Sequence, residues 1–319
     1  MRPSEVDVPT ASELLEVADL IRPWIHRTPV VTSQYLNDLS GASLYFKAEQ
    51  LQRMGAFKMR GAVSAICALN PQERSKGVVT HSSGNFGQAV ALAAKLMGIN
   101  AYIVMPQGTP KVKRNAVLGY GAEVTECAPN LPAREQATHR IIQRNGATPL
   151  HPSNTLPVIL GNATATMELL EEVPDLNGVI APVGGGGLLA GSALATTHFG
   201  SECFCWGAEP SAVDDAYRSL QLGAIQTNKH TNTIADGLKT QLGSVNFPII
   251  QNHVASIFCV EESEIIDAMR LIWERTKMVV EPSSAVVLAA VLRNPEFFKA
   301  KKIGLILSGG NVDLDQLPF

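Results

Sequence analysis

A single lysine, Lys58, stands in the run Gly55-Ala56-Phe57-Lys58-Met59-Arg60-Gly61-Ala62, among small and apolar neighbours. An amine in such surroundings sheds its hydration and its pKa falls, which is what a lysine needs to form a Schiff base with an aldehyde. Most lysines are solvated surface charges, so the assignment needs support from elsewhere in the chain. Three loops offer it. His81-Ser82-Ser83-Gly84-Asn85 brings hydroxyls, an amide and helix-start N–H groups that suit a carboxylate, although a Ser/Asn helix cap has the same composition. Gly184-Gly185-Gly186-Gly187 lets the backbone approach a bound group closely, and the helix start that follows supplies N–H donors for a phosphate. Ser308-Gly309-Gly310-Asn311 puts a hydroxyl where it can meet a ring nitrogen, and by itself also fits a plain turn.

These loops are positioned by alternating β-rich and helical runs. The pattern predicts strands over Ser43–Lys47, Val78–Thr80, Ala101–Met105, Glu123–Cys127, Thr148–His151, Val179–Val183, Cys203–Ala208, Ser256–Val260 and Ile303–Leu307. Helices are predicted from Lys58 and over Phe86–Met97, Pro110–Leu118, Pro132–Asn145, Ala163–Glu172, Leu188–Thr197, Glu262–Met278 and Ser283–Leu292, with Asn70–Lys76 a polar loop. Such alternation is the βαβ signature of parallel sheets with helices on their faces, and all three loops follow strand ends, where open α/β sheets bind ligands.

At 319 residues the chain exceeds the usual single core, so two lobes are expected, with room for one to be built from separate segments. A hydrophobic fraction of 45% excludes a disordered chain, and a net charge of -3 gives no reason to expect nucleic acid or an anionic membrane as partner. Five cysteines, none in a C-x-x-C pair, read as core thiols of a reducing cytoplasm. Glu5, Asp7, Glu13 and Glu16 do not resemble a secretory signal or basic transit peptide. The longest uncharged run, Leu176–Ser201, holds Pro182 and the four glycines, so no bilayer helix is expected there.

The glycine loop also supports a rival. Gly185-x-Gly187-x-x-Ala190 matches the dinucleotide fingerprint, and Glu209 follows at about 20 residues, where a ribose-binding acid belongs. A nicotinamide-linked oxidoreductase, or a non-catalytic binder of phosphate metabolites, fits that half but leaves Lys58 without a role.

Gly55-Ala56-Phe57-Lys58, Ser82-Ser83-Gly84-Asn85, the tetraglycine, Glu281-Pro282-Ser283-Ser284 and Ser308-Gly309-Gly310-Asn311 occur in an order and spacing that resembles the fold-type II pyridoxal-phosphate enzymes, in the serine racemase and serine/threonine dehydratase family. The resemblance runs from Ile25-His26-Arg27-Thr28-Pro29 to Asp313. It implies an α/β, tryptophan synthase β-like fold of two lobes, each a mainly parallel twisted sheet flanked by helices. Residues 1–75 and 153–319 would form the large cofactor-binding lobe and residues 76–152 a small mobile one.

By the same resemblance, Lys58 would hold pyridoxal 5'-phosphate and act as base on one face of the substrate α-carbon. Phe57 would pack on the pyridine ring, Asn85 bond its hydroxyl, Gly184 to Gly187 hold the phosphate, and Ser308 bond the ring nitrogen. A serine does not favour protonating that nitrogen, so loss of a β-hydroxyl competes with carbanion chemistry and dehydration should accompany racemisation. Ser82, Ser83, Asn85 and Arg134 would bind substrate, with Ser83 the second acid/base that inversion requires. Glu209, Asp215 and the carbonyl of Val213 would bind Mg2+, Ca2+ or Mn2+, displacing the ribose reading of Glu209. Gln88, Tyr120 and Lys277 match positions of a site for ATP, an effector of some members. A cytoplasmic homodimer making D-serine, pyruvate and ammonia is the implied enzyme.

Several positions depart from the family pattern. Phe86 and Ala56 replace a usual histidine and serine, Ser153-Asn154-Thr155 replaces an acidic or amide-rich loop, and Gly161-Asn162-Ala163-Thr164 replaces Gly-Gln-Gly-Thr. The hydroxyl-bearing loop resembles that of animal aspartate racemases, so aspartate and 3-hydroxyaspartate stand as alternative substrates. The chain stops just past the last motif, at Phe319, and a regulatory domain of the threonine dehydratase kind is not expected.

Overall fold

The computed structural model describes residues 8–109 and 111–319, the side chains of residues 111 and 112 excepted. Ten strands are present among them: β1 Val30–Val31, β2 Ser43–Ala48, β3 Val78–His81, β4 Ala101–Pro106, β5 Glu123–Cys127, β6 Thr148–Pro149, β7 Gly178–Pro182, β8 Phe204–Pro210, β9 Ser256–Val260 and β10 Lys302–Leu307. They form a six-stranded sheet in the order β1-β2-β10-β7-β8-β9 and a four-stranded sheet in the order β5-β4-β3-β6. All pairings are parallel except β1 with β2. The smaller sheet draws only on residues 78–149, and the larger one on residues 30–48 and 178–307.

Parallel strands covered on both faces need apolar side chains on both, and β7 and β10 are buried almost throughout. Val179 and Ala181 face one core, with helices Leu156–Glu172 and Gly187–Phe199; Ile180 faces the other, with helices Glu262–Thr276 and Pro282–Arg293. The smaller sheet packs against helices Lys58–Cys67 and Asn85–Leu96 on one side and Leu131–Asn145 on the other. Among the described residues no helix is long and apolar enough to cross a membrane, and all five cysteines are free.

Three expectations need correction. Residues 71–76 are a helix, Pro71–Lys76, started by a reciprocal Asn70–Glu73 capping box with proline in the first turn. The helix expected from Ala163 begins at Leu156, since Pro157 sits in its first turn and Gly161 lies inside it. That glycine is there for space: a Cβ would come within 2.6 Å of the Arg60 carbonyl oxygen and the Ser64 Cβ on the neighbouring helix. The strand expected over Thr148–His151 ends at Pro149. Helices Ala11–Ile21, Gln34–Ser40, Asp215–Leu222, Asn246–His253 and Pro295–Phe298 stand outside the expected set. The helix expected from Pro110 is described over Lys111–Gly119, and Pro110, Glu5 and Asp7 lie outside the described residues.

Candidate active site

Two chain segments meet edge to edge around Lys58. Ala56 bridges Gly309, the Phe57 N–H donates to the Ser308 carbonyl at 2.9 Å, and the Gly310 N–H donates to the Gly55 carbonyl at 2.9 Å. The lysine loop and the Ser308 loop are therefore one unit. Lys58 opens helix Lys58–Cys67, and its Nζ donates to the Pro152 carbonyl at 2.8 Å. The amine lies 4.9 Å from the Phe57 ring centre and 5.7 Å from that of Phe86. Burial pulls its pKa down to about 8, against the opposing charge of Glu281.

Glu281 carries no assigned role in the sequence reading, yet it lies at the centre of this site. It is 4% exposed, and the side-chain amide of Asn85 donates to its Oε1 and Oε2 at 3.0 and 3.1 Å. Asn311 Nδ2 in turn donates to Asn85 Oδ1 at 2.9 Å. Burial, followed by the charge of Asp236, pushes the Glu281 carboxyl up to about 7. Ser308 Oγ sits 3.1 Å from Ser284 Oγ, and Ser284 Oγ also donates to the Gly309 carbonyl at 2.7 Å.

The glycine loop is held from beneath by Asn246, fully buried, whose Nδ2 donates to the carbonyls of Gly185 at 2.8 Å and Ser153 at 3.2 Å. Gly186 has φ +79° at the start of helix Gly187–Phe199, and a Cβ on Gly185 would fall 2.5 Å from Ser153 Oγ. Ser153 follows Pro152, the acceptor of the Lys58 amine, so the cradle and the lysine share a wall.

Ser82 and Ser83 are half-buried in the loop between β3 and helix Asn85–Leu96. Ser82 Oγ accepts the Gly84 N–H at 3.3 Å. Arg134, on helix Leu131–Asn145, has a buried Nε without a hydrogen-bond partner among the described residues, and so does His81 Nδ1. Burial lowers the His81 pKa, with Arg134 adding to it; burial lowers that of His151, with His81 and Lys58 adding. The end of β3 thus gathers two histidines, both held toward the neutral form, and Arg134 near Lys58.

Glu209 and Asp215 are each 1% exposed. Glu209 Oε1 accepts the Tyr217 N–H at 2.6 Å, and Asp215 Oδ1 accepts from Asn228 Nδ2. Asp215 Oδ2 is buried with no partner among the described residues, and buried Val213 lies in the turn between the two acids. Burial raises both carboxyls, that of Asp215 to about 6. An orphaned carboxylate oxygen beside a second buried acid fits a hard cation. Among the described residues no three His, Cys, Asp or Glu side chains cluster as a metal site, so a carbonyl and waters would have to complete the shell. Gln88 is buried on helix Asn85–Leu96, Tyr120 follows helix Lys111–Gly119, and Lys277 caps helix Glu262–Thr276 with its Nζ on the Glu274 carbonyl at 2.7 Å.

Residues 21–309 match the family described as pyridoxal-phosphate dependent enzyme. The chain belongs to that family. Within it, the chain is 48% identical to a serine racemase of Dictyostelium discoideum over 97% of its own length and 96% of the relative's. It is 44% identical to a beta-hydroxyaspartate dehydratase of Paracoccus denitrificans, over 98% and 99%. The crystal structure of the Dictyostelium discoideum serine racemase superposes with a TM-score of 0.92, covering 96% of this chain and 99% of that one. The fold is fold-type II, and family membership displaces the nicotinamide reading of the glycine loop. The residues present fit the cofactor: a desolvated amine, an aromatic ring beside it, and a glycine cradle at a helix start that any Cβ would crowd.

Proposed function

We propose that the chain interconverts L- and D-serine with pyridoxal 5'-phosphate and also eliminates water from serine, giving pyruvate and ammonia. The observation that carries this is the desolvated Lys58 amine, fixed on Pro152 and lowered to about 8, in a chain 48% identical to a serine racemase. When bound, the cofactor supplies an electron sink for the substrate α-carbon. Lys58 takes and returns the α-proton on one face, and Ser83 does so on the other. The loop of Ser82, Ser83 and Asn85, with Arg134, holds the carboxylate. Phe57 would pack on the ring, Gly184, Gly185, Gly186 and Gly187 would receive the phosphate, and Ser308, whose hydroxyl lies beside that of Ser284, would bond the ring nitrogen. A hydroxyl there, unlike a carboxylate, would not favour protonating that nitrogen, so the electron sink would be weaker and loss of the β-hydroxyl would compete with inversion.

Mg2+, or Ca2+ or Mn2+, would bind Glu209, Asp215 and the Val213 carbonyl, and ATP would act as effector at Gln88, Tyr120 and Lys277. We place the enzyme in the cytoplasm as a homodimer, with residues 76–152 closing on 1–75 and 153–319 around substrate. Lys113 and Asp236 already pair at 2.6 Å between these segments, a contact that opening would have to break.

A second reading is favoured by the unpartnered Arg134 Nε and His81 Nδ1 and by the hydroxyaspartate dehydratase relative: a substrate with a second carboxylate, aspartate or 3-hydroxyaspartate. Incubating the protein with L-serine and magnesium in heavy water, and following pyruvate, α-deuterium and chirality, tests both. Deuterated D-serine with pyruvate is expected. Inert serine beside turnover of 3-hydroxyaspartate would install the second reading.

A further inference from the structure

Two residues past Lys58, on the same helical turn, Arg60 is fully buried. Its guanidinium makes two forked pairs. Nε and Nη2 hold Glu49 Oε2 and Oε1 at 2.7 and 2.8 Å, and Nη1 and Nη2 hold Glu168 Oε1 and Oε2 at 2.7 and 2.8 Å. Nη1 also reaches Thr164 Oγ1 at 3.0 Å. Lys47, fully buried, donates from Nζ to Glu168 Oε2 at 2.7 Å and to the Thr28 carbonyl at 2.5 Å. Two cations and two anions therefore form one closed, neutral set.

Burying four charges costs about as much as their attraction returns, so such a cluster stabilises little; what it does impose is geometry. Three segments meet in it: β2 with the turn Glu49–Leu51, helix Lys58–Cys67 and helix Leu156–Glu172. The second carries Lys58. The third begins four residues past Pro152, whose carbonyl accepts the Lys58 amine, and Ser64 Oγ ties the two helices again at the Pro157 carbonyl, 2.6 Å away. One end of the Lys58–Pro152 bond thus rides on a helix that Arg60 clamps, and the other lies in the short loop that leads into the second clamped helix.

We propose that Arg60 is a positioning residue: by gripping Glu49 and Glu168 it holds helix Lys58–Cys67 against helix Leu156–Glu172, so that the Lys58 amine stays on the Pro152 carbonyl and out of water. Glu168 is the member with an edge toward solvent, its side chain 13% exposed in the wall of a cavity of about 460 Å³ beside helix Ala11–Ile21. Loosening the clamp admits water along that side. This inference rests on the reading of Lys58 as the cofactor lysine.

The test uses full-length protein stripped of cofactor and remixed with pyridoxal phosphate across a range of pH, with uptake followed by absorbance. Only the unprotonated amine reacts, so the midpoint of the uptake rate reports on Lys58 and is expected near pH 8 in the unaltered protein. The titratable groups facing Lys58 are Glu281 and His151, and none of the variants alters them. Arg60→Lys keeps the charge and loses the fork, and should raise the midpoint by about one unit or more as the amine rehydrates. Glu168→Gln should move it less, and Ile272→Val, a remote core change, not at all. If Arg60→Lys does not fold, Glu168→Gln against Ile272→Val carries the comparison. Unchanged midpoints with only a lower melting temperature would overturn the proposal. Borohydride reduction and peptide mapping of the unaltered holoenzyme separate the two levels: cofactor fixed to another lysine overturns the reading of Lys58, whereas cofactor on Lys58 with unmoved midpoints overturns only the role of Arg60.

Discussion

The amide of Asn85 donates to both carboxylate oxygens of Glu281, at 3.0 and 3.1 Å, across 196 residues of chain. This contact joins the loop after β3 to the start of helix Pro282–Arg293, and it holds a buried acid beside the lysine. The acid stays protonated well above its ordinary range because burial, helped by Asp236, disfavours its charge.

A carboxyl at about 7 in the fold and 4.5 when unfolded binds more protons folded, so its ionisation destabilises the fold as pH rises from 4.5 through 7. The penalty is absent below that window and complete above it, on the order of a few kcal/mol. Glu281→Gln should remove this part of the slope: thermal melts of cofactor-free protein at pH 5 and pH 8 should differ less in the variant. Identical slopes would show that Glu281 ionises as freely folded as unfolded.

Ser83→Ala tests the two-face assignment. With one proton carrier left, inversion should fall by about 100-fold or more, while pyruvate formation persists from the enantiomer whose α-proton Lys58 removes. Chiral chromatography beside a pyruvate assay reads both. Equal loss of the two activities would make Ser83 a binding group rather than a proton carrier.

Much of this candidate site was legible in the sequence because its parts are short, and the hydroxyl and glycine loops lie at strand ends. Lys58 among small residues, the hydroxyl loop at Ser82 and the tetraglycine each carry their chemistry within five residues. Glu281 was not legible as a partner of Asn85, since nothing local says that a carboxylate will be buried against an amide 196 residues away. The helix Pro71–Lys76 was missed despite a capping box in plain view, because a polar stretch with proline resembles a loop when only apolar periodicity is followed. The early start of helix Leu156–Glu172 was hidden by Gly161, a helix breaker by propensity that is needed where two helices touch.

Gly186→Ala probes the cradle. The position has φ +79°, and a Cβ there would lie 2.7 Å from Asn246 Oδ1 and from a Leu242 methyl. Strain and overlap together should cost about 1 to 3 kcal/mol, and the shifted loop should hold pyridoxal phosphate at least about tenfold more weakly. Absorbance titration of the cofactor-free variant measures this. Unaltered affinity would place the phosphate elsewhere.

Magnesium should stabilise the protein through Glu209 and Asp215, and the sign of an Asp215→Asn change makes the assignment specific. Without a cation the two buried acids disfavour each other's charge, and Asp215 Oδ2 has no partner among the described residues. A cation that binds only the fold adds about 2.7 kcal/mol at a hundredfold excess over its Kd. In differential scanning fluorimetry the unaltered protein should therefore melt higher with magnesium than with chelator. Asp215→Asn removes one buried charge, so the chelated variant should melt no lower than the chelated parent while its magnesium response disappears. A variant that still responds fully would move the cation to other ligands, whereas one that melts much lower even in chelator would make Asp215 a structural acid held by Asn228.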